Sequence, residues 1–381
     1  MKVFSQTAVL AVIAGGFAMP ALADAQSDSF GLGAFAADHA VFVMTNDADS
    51  NEVLAYERTP YGTLHSPRKF QTGGRGSGGT VDPLASQGSL HLSQDGATLF
   101  AANAGSGTVS VFRVFGSRLV LTDIEASGGS EPTAVAQHGN LVYVLNTAGS
   151  SSVVGFRVRD GKLTRIAHSL HFLSGNLANP GSIAFSADGK SLLVTEKATN
   201  ALDVFNVLPD GTLAALVSTP SAGPGAFALN VAPNGTVVVS ETGTSSPNSS
   251  GISSYSIGHD GHLVPISVSV PTLGAANCWN AFTPNGRFVY ASNAGTSSIS
   301  GFQLSAGGSL VPIGSTVVGL NPSGSANLDI AVSSDGKFLY SLNGGSGAVG
   351  MFAIASDGSL VSLGIVSGLP AGAGLNGIAA N

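Results

Sequence analysis

The stretch Arg287–Ile313, RFVYASNAGTSSISGFQLSAGGSLVPI, is echoed 50 residues later by Lys337–Leu363, KFLYSLNGGSGAVGMFAIASDGSLVSL. Each reads as a β-rich run ending in Asn, a Gly/Ser loop, a run through Phe, and a Gly turn opening another run. An apolar run and an Asn-Gly or Asp-Gly turn precede both. The unit recurs along the chain, with its second run ending at Asn46, Asn103, Asn146, Glu196, Glu241, Asn293 and Asn343. These seven markers stand 43 to 57 residues apart. Pairs such as Asp188-Gly189, Asp260-Gly261 and Asn285-Gly286 suit the φ > 0 positions of tight hairpin turns. Four antiparallel strands at this repeat length fit a β-propeller blade, whereas a parallel β-helix usually repeats at about half the length. Helical repeats conflict with the 52 glycines and with β-branched runs such as TVVVSE at Thr236–Glu241.

The two chain ends complete the pattern. The first unit begins at AVFVMTN (Ala40–Asn46) and lacks an opening strand, while PAGAGLNGIAAN (Pro370–Asn381) resembles an opening strand with nothing after it. The expectation is an all-β, seven-bladed β-propeller over residues 40–381, with four antiparallel strands per blade. The C-terminal strand closes the ring by pairing into blade 1, Gly377–Asn381 lying beside the strand that contains Phe42. Closure removes exposed sheet edges, and repetition is required because one blade cannot bury its own faces. Light inner strands, as in PGSIAFS and NLDIAVS, suit crowding around a narrow axis.

Composition excludes several classes. With 43% hydrophobic and 10% charged residues the chain is too apolar for disorder, and a net charge of −7 without basic clusters gives no footprint for nucleic acid. Lys2, the apolar TAVLAVIAGGFAMP and the small residues Ala21–Ala23 read as a signal peptide over 1–23. The expected location is therefore secreted or periplasmic, with 24–39 an N-terminal extension. That apolar run is shorter than the ~20 residues of a membrane span, and no later stretch is long enough. Cys278 is the single cysteine, so no intrachain disulfide forms; beside Trp279 it reads as a small buried hydrophobe. A monomer is expected.

Topology puts the Asp-Gly turns on one face of the ring. The loops after the markers and the connections between blades lie on the other, called the top. Long top loops, QTGGRGSGGTVDPLASQG (Gln71–Gly88) and TGTSSPNSSG (Thr242–Gly251), make it the expected functional face. Glu196 and Glu241 replace Asn at the marker in adjacent blades. They are candidate acid–base residues, with Arg75 or Lys197 as electrostatic partner. The competing expectation is that each carboxylate merely accepts backbone hydrogen bonds, as the marker Asn does. Asn293, Asn280, Trp279, Phe227 and His91 are candidate substrate contacts, His91 either lining the channel or packed in the core. Asp82 and Asp329 also fall near the top. No cofactor is expected; the alternative is a divalent cation among carboxylates and Asn, or at NDADSNE (Asn46–Glu52), which lacks the Gly and distal Glu of an EF-hand. Three GxGxxG matches join no strand to a helix, which argues against a dinucleotide site, and no G-x-S-x-G elbow is present.

SADGKSLLVTEKATNALDVFNVLPDGTL (Ser186–Leu213) and SSDGKFLYSLNGGSGAVGMFAIASDGSL (Ser333–Leu360) resemble the lactonase-type seven-bladed propellers, which include 6-phosphogluconolactonases and fungal carboxymuconate cyclases. The likeness extends over the chain beyond the leader and is closest to an exported branch. It is carried by Gly223–Phe227, Val239–Glu241, Ser253–Tyr255, Cys278-Trp279 and Tyr290–Gly295. The resemblance implies a lactonase-like or cyclase-like propeller that hydrolyses or forms a lactone of a sugar acid or related carboxylate. The alternative is a non-catalytic propeller that binds a carbohydrate or protein partner at its top face. Glu241 matches the family's acidic residue, and Glu196 stands where Asp is common. Pro180-Gly181-Ser182 replaces a Pro-His-Ser, Phe227-Ala228 an Arg-His and Asn293-Ala294 an Asn-Arg, so the family's His and Arg are absent from their expected places.

Overall fold

The computed structural model describes residues 39–175, 178–244, 246 and 248–381. The leader and most of the extension read from the sequence lie outside the described residues. Strands alternate with tight turns throughout, and they form seven antiparallel sheets. Blade 2, for example, runs Leu90–Leu92, Thr98–Asn103, Thr108–Phe115, Arg118–Ala126 outward from the axis. Blades 4 to 7 open with Pro180–Phe185, Ala226–Val231, Asn277–Phe282 and Asn327–Val332. Blade 3 opens with Pro132–His138 and carries an extra two-residue strand, His171–Phe172, beside Ser152–Arg159. His168, just before that strand, sits in a turn at φ 59°.

The ring closes as the chain ends anticipated. Ile378–Ala380 pairs antiparallel with Ala40–Met44, placing Ala379 opposite Phe42. Gly377 O accepts from Met44 N at 3.1 Å, and Asn381 Oδ1 accepts from Ala40 N at 2.6 Å. The opening strand of blade 1 thus comes from the far end of the chain.

The hydrophobic core is distributed between blades. One apolar cluster joins blades 2 and 3 through Phe100, Val111, Val135, Val144 and Phe156. Another joins blade 7 to blade 1 through Val41, Tyr56, Tyr340 and Leu342. Because each sheet is covered on both faces by its neighbours, inner and middle strands are apolar without strict alternation. Recurrent tyrosines tie the joints: Tyr290 Oη donates to Gly358 O at 2.9 Å, and Tyr340 Oη to Gly62 O at 3.0 Å. Each bond reaches the outer turn of the next blade, and satisfying a buried hydroxyl this way avoids a desolvation cost of ~1–3 kcal/mol.

The seven marker residues are fully buried. In blade 2, Asn103 Nδ2 donates to Ser110 Oγ at 2.8 Å, and Asn103 Oδ1 accepts from Asn51 of blade 1 at 2.9 Å. Asn293 repeats the first bond with Ser300 at 2.9 Å. The incoming connection lies against the marker, which is why it carries glycine there: a Cβ on Gly74, Gly129, Gly223 or Gly274 would run into Asn103, Asn146, Glu241 or Asn293 respectively.

Candidate functional site

The long connection into blade 2 crosses the ring axis instead of framing a cleft at its rim. Ser86 Oγ donates to Thr133 O of blade 3 at 2.9 Å, and Gln87 N donates to Gly181 O of blade 4 at 2.9 Å. From blade 6, Trp279 Nε1 donates to Ser86 O at 2.9 Å. Lys197 Nζ of blade 4 donates to Ala85 O and lies 5.0 Å over the Phe227 ring. Asn376 Nδ2 donates to Asp82 Oδ1 at 3.1 Å. Residues Asp82–Gln87 therefore plug the top of the axis. Below them Phe227, Ala228, Cys278, Trp279 and Leu328 form an apolar cluster against Ala85, with Phe227 and Trp279 edge to face at 5.3 Å.

Closing the plug sets opposing terms against each other. Its hydrogen bonds contribute ~1 kcal/mol each, while ordering six residues costs ~1–2 kcal/mol per residue in backbone entropy. Asp82 at φ 48° and Ala85 at φ 43° sit in the left-handed region. For alanine that conformation costs about 1–2 kcal/mol.

The open space lies on the other side of the plug. A cavity of about 770 Å³ opens towards the face of the Asp-Gly turns, where Asp95, Gly96 and Pro284 line it, and rises along the axis to Gln87, Asn230, Asn280 and Asp329. A second lobe of about 440 Å³ shares Gln87, His91 and Asn230. Both volumes fall in the range of small-molecule sites. The sequence reading placed the site on the top face. In the structure the loop expected to frame that site crosses the axis at the top, and this cavity opens towards the opposite face.

At the deep end four polar side chains converge. Gln87 Nε2 donates to Asp329 Oδ1 at 3.0 Å and to Asn280 O at 2.9 Å. Asn230 Nδ2 donates to Asn280 O at 2.8 Å and towards Gln87 Oε1 at 3.3 Å. Asn280 Nδ2 donates to Ser240 Oγ at 3.0 Å. Asp329 also accepts from Ile330 N at 2.9 Å and Ile378 N at 3.3 Å. Burial nevertheless pushes the Asp329 carboxyl up to about 7, outweighing those three stabilising bonds. On the wall, the Nε2 of His91 is buried without a hydrogen-bond partner, and desolvation drops the ring to about 4, so it is neutral at pH 7. Neither lobe is lined by lysine or arginine.

Around the plug itself the charges differ. Burial raises the Asp82 carboxyl to about 7, opposed chiefly by the Lys197 charge. Burial also lowers Lys197 to about 8, with Asp82 acting in the opposite sense. The neighbouring Cys278 thiol is pushed up by burial, which makes it an unreactive thiol at neutral pH.

The sequence-derived candidates fall into three places. Asn280 and His91 reach the cavity. Trp279, Phe227 and Lys197 lie together under the plug. Glu196, Glu241 and Asn293 sit inside their blades, away from both. Glu241 Oε1 accepts from Ser253 Oγ at 2.5 Å, and burial raises its carboxyl. Glu196 accepts from Ser174 N at 2.8 Å and Thr199 Oγ1 at 2.6 Å. Arg75 is exposed on the top surface, where its backbone N donates to Ser106 Oγ at 3.0 Å and its carbonyl accepts from Gly105 N at 3.0 Å and Ser106 N at 3.2 Å. The sequence reading passed over Gln87, Asn230 and Asn376. Their one signal was a polar residue within or beside an otherwise light inner strand, as in GAFALNVA.

In NDADSNE, Asp47 Oδ1 accepts from the backbone N of Asp49 and Ser50 at 2.9 and 3.0 Å, a self-capped turn. Among the described residues, no three His, Cys, Asp or Glu side chains come together as a metal-holding group. No helix among them is long and apolar enough to cross a membrane.

Comparison with curated proteins found no match. Solved structures are similar in fold. A putative 6-phosphogluconolactonase from Bacteroides uniformis is 18% identical at a TM-score of 0.66, covering 90% of this chain and 100% of its own. The periplasmic gluconolactonase PpgL of Pseudomonas aeruginosa is 19% identical at 0.65, covering 89% and 99%. A hypothetical selenium-binding protein from Sulfolobus tokodaii is 12% identical at 0.63, covering 90% and 93%. At such identities the likeness is one of fold. Residues 33–179, reaching through the first three blades, match the family described as lactonase, 7-bladed β-propeller. With that partial match and a ring of seven antiparallel blades, the chain is similar to the lactonase-type seven-bladed β-propellers and shares their fold.

Proposed function

We propose that the protein binds an uncharged, hydroxyl-rich lactone in the axial cavity and hydrolyses it. The observation that carries this reading is the convergence of Gln87, Asn230, Asn280 and Asp329 at the end of an open cavity without lysine or arginine in its lining. Amide and carboxyl groups suit sugar hydroxyls, whereas a phosphate would meet no cation there. This favours a neutral sugar lactone over a phosphorylated one.

Asp329 is the proposed general base. Its oxygens retain acceptor capacity beyond the bonds they make, and a carboxyl at about 7 is matched to proton transfer near neutrality. Water attacks the lactone carbonyl as Asp329 takes its proton. The ring C–O bond then breaks, and that proton passes to the departing alkoxide, leaving the hydroxy acid. The leader-like Met1–Ala23 supports placing this chemistry outside the cytoplasm.

A lactone panel tests the reading. The expected result is turnover of neutral aldonolactones, weak or absent turnover of a phosphorylated counterpart, and no effect of a chelator. Preference for the phosphorylated lactone would overturn it. Saturable binding of neutral lactones without turnover would instead make the cavity that of a carbohydrate-binding module.

A further inference from the structure

The plug and the chamber beneath it are chemically complementary, and the two halves come from different parts of the fold. The blades supply a buried cation, Lys197, an edge-to-face aromatic pair, Phe227 and Trp279, and one indole N–H. The loop supplies what these groups need: the Asp82 carboxyl, whose charge acts on Lys197, the Ala85 carbonyl and the Ser86 carbonyl. Among the described residues Lys197 forms no ion pair within 4 Å, either with a blade carboxylate or with Asp82, whose charge acts on it from farther off. A lysine removed from water with no carboxylate in contact, its ammonium held instead by a loop carbonyl, is half of a binding site.

We propose that the chamber over Phe227 and Trp279 binds a carboxylate-bearing small molecule on Lys197, and that Asp82–Gln87 is its built-in occupant. An arriving carboxylate takes the place of the Ala85 carbonyl on the ammonium, and the plug swings off the axis. Gln87 belongs both to the plug and to the deep end of the lower cavity. Displacing the plug therefore also opens the lower cavity towards the top face. The chamber is separate from the lower cavity and stands whether or not the latter hydrolyses lactones.

Trp279 is the only tryptophan in the chain, is 1% exposed and bonds the plug directly, so its fluorescence reports the plug's position. Ala85→Pro would force φ from 43° to about −65° and remove the N–H that bonds Asp82 O at 3.2 Å, opening the loop without altering a blade. The expected result in the full-length variant is red-shifted Trp279 emission and several-fold greater acrylamide quenching, with far-UV circular dichroism retained. Sodium D-gluconate, the probe, should then restore protection, and uncharged methyl glucoside should not. A wild-type chamber occupied by its own loop nine-tenths of the time or more would bind gluconate at least ~tenfold more weakly than the variant. Adding Lys197→Met should abolish the gluconate response.

Unchanged quenching in a folded Ala85→Pro protein, no gluconate response, or a response that survives Lys197→Met would each overturn the proposal. Should Ala85→Pro not fold, Asp82→Asn keeps the loop's length and volume while removing its charge. That variant should bind gluconate more tightly than wild type through the same Trp279 signal, and equal or weaker binding would overturn the proposal. Lactone turnover is measured in parallel, so loss of the hydrolytic reading and loss of this one are told apart.

Discussion

Replacing Asp203 with Asn should remove a pH dependence of stability built into blade 4. Asp203 is fully buried opposite Val194, at the register where Ser110, Ser253 and Ser300 stand in blades 2, 5 and 6. There it faces Glu196, so two carboxyls occupy a place that elsewhere holds an Asn or Glu with a Ser. One of them must carry a proton. Burial, and then the hydrogen bond to Glu196, holds the Asp203 carboxyl up to about 8. Glu196 is also pushed up by burial, but the bonds from Asp203, Ser174 and Thr199 bring it net below its usual range. Asp203 is thus the donor and Glu196 the acceptor.

The sign follows directly. Between the unfolded value of 3.8 and the folded value of about 8, the native state binds a proton that the unfolded chain lacks. Stability from this group is full below 3.8 and is lost as pH rises through that window, by up to ~1.4 kcal/mol per pH unit. Asparagine keeps a donor towards Glu196 at every pH. Between pH 5 and pH 8 the variant should therefore gain about 2–4 kcal/mol on the wild type, or ~3–6 °C in Tm for a chain of this size. Thermal unfolding by circular dichroism across that range is the assay, and comparing the two proteins cancels the titration of Asp82 and Asp329. Parallel Tm profiles would refute the shared-proton assignment.

Asp329→Asn should lower kcat on a neutral lactone at least ~100-fold while the protein stays folded. Wild-type turnover should rise as pH increases through about 7, because the base works only when ionised, and the variant should lack that limb. Glu241→Gln should leave turnover unchanged, since its carboxyl is spent on Ser253 inside blade 5; a folded but inactive variant would return Glu241 to the mechanism. Deleting Ile378–Asn381 strips blade 1 of its opening strand and exposes the Ala40–Met44 edge. Light scattering should then show aggregation and unfolding should lose cooperativity, whereas a monomeric, sharply melting truncation would contradict closure by the tail.

The architecture was legible because it rests on local, repeated signals. A Gly at each tight turn, an Asn or Glu at the end of each second strand and the unmatched chain ends specify seven blades and their closure without any long-range information. The same signals say less about which side chains reach a cavity. Glu196 and Glu241 stand out in sequence because they replace Asn, yet register shows that the marker position points into the blade, where a carboxylate does what an amide does. Lys197, one residue further along, escapes the blade and reaches the axis.

Repeat chemistry alone determined the ring, because each blade is written in contiguous residues and its faces can be buried only by copies of itself. Tertiary structure alone decided which end of the axis is open. Gln71–Gly88 is long and glycine-rich, a composition that fits a rim or a plug equally well. Its course across the ring depends on partners contributed by five other blades, at Thr133, Gly181, Asn230, Asn280 and Asp329. No local pattern encodes a meeting of residues so far apart in the chain, and that meeting turned the cavity towards the Asp-Gly face.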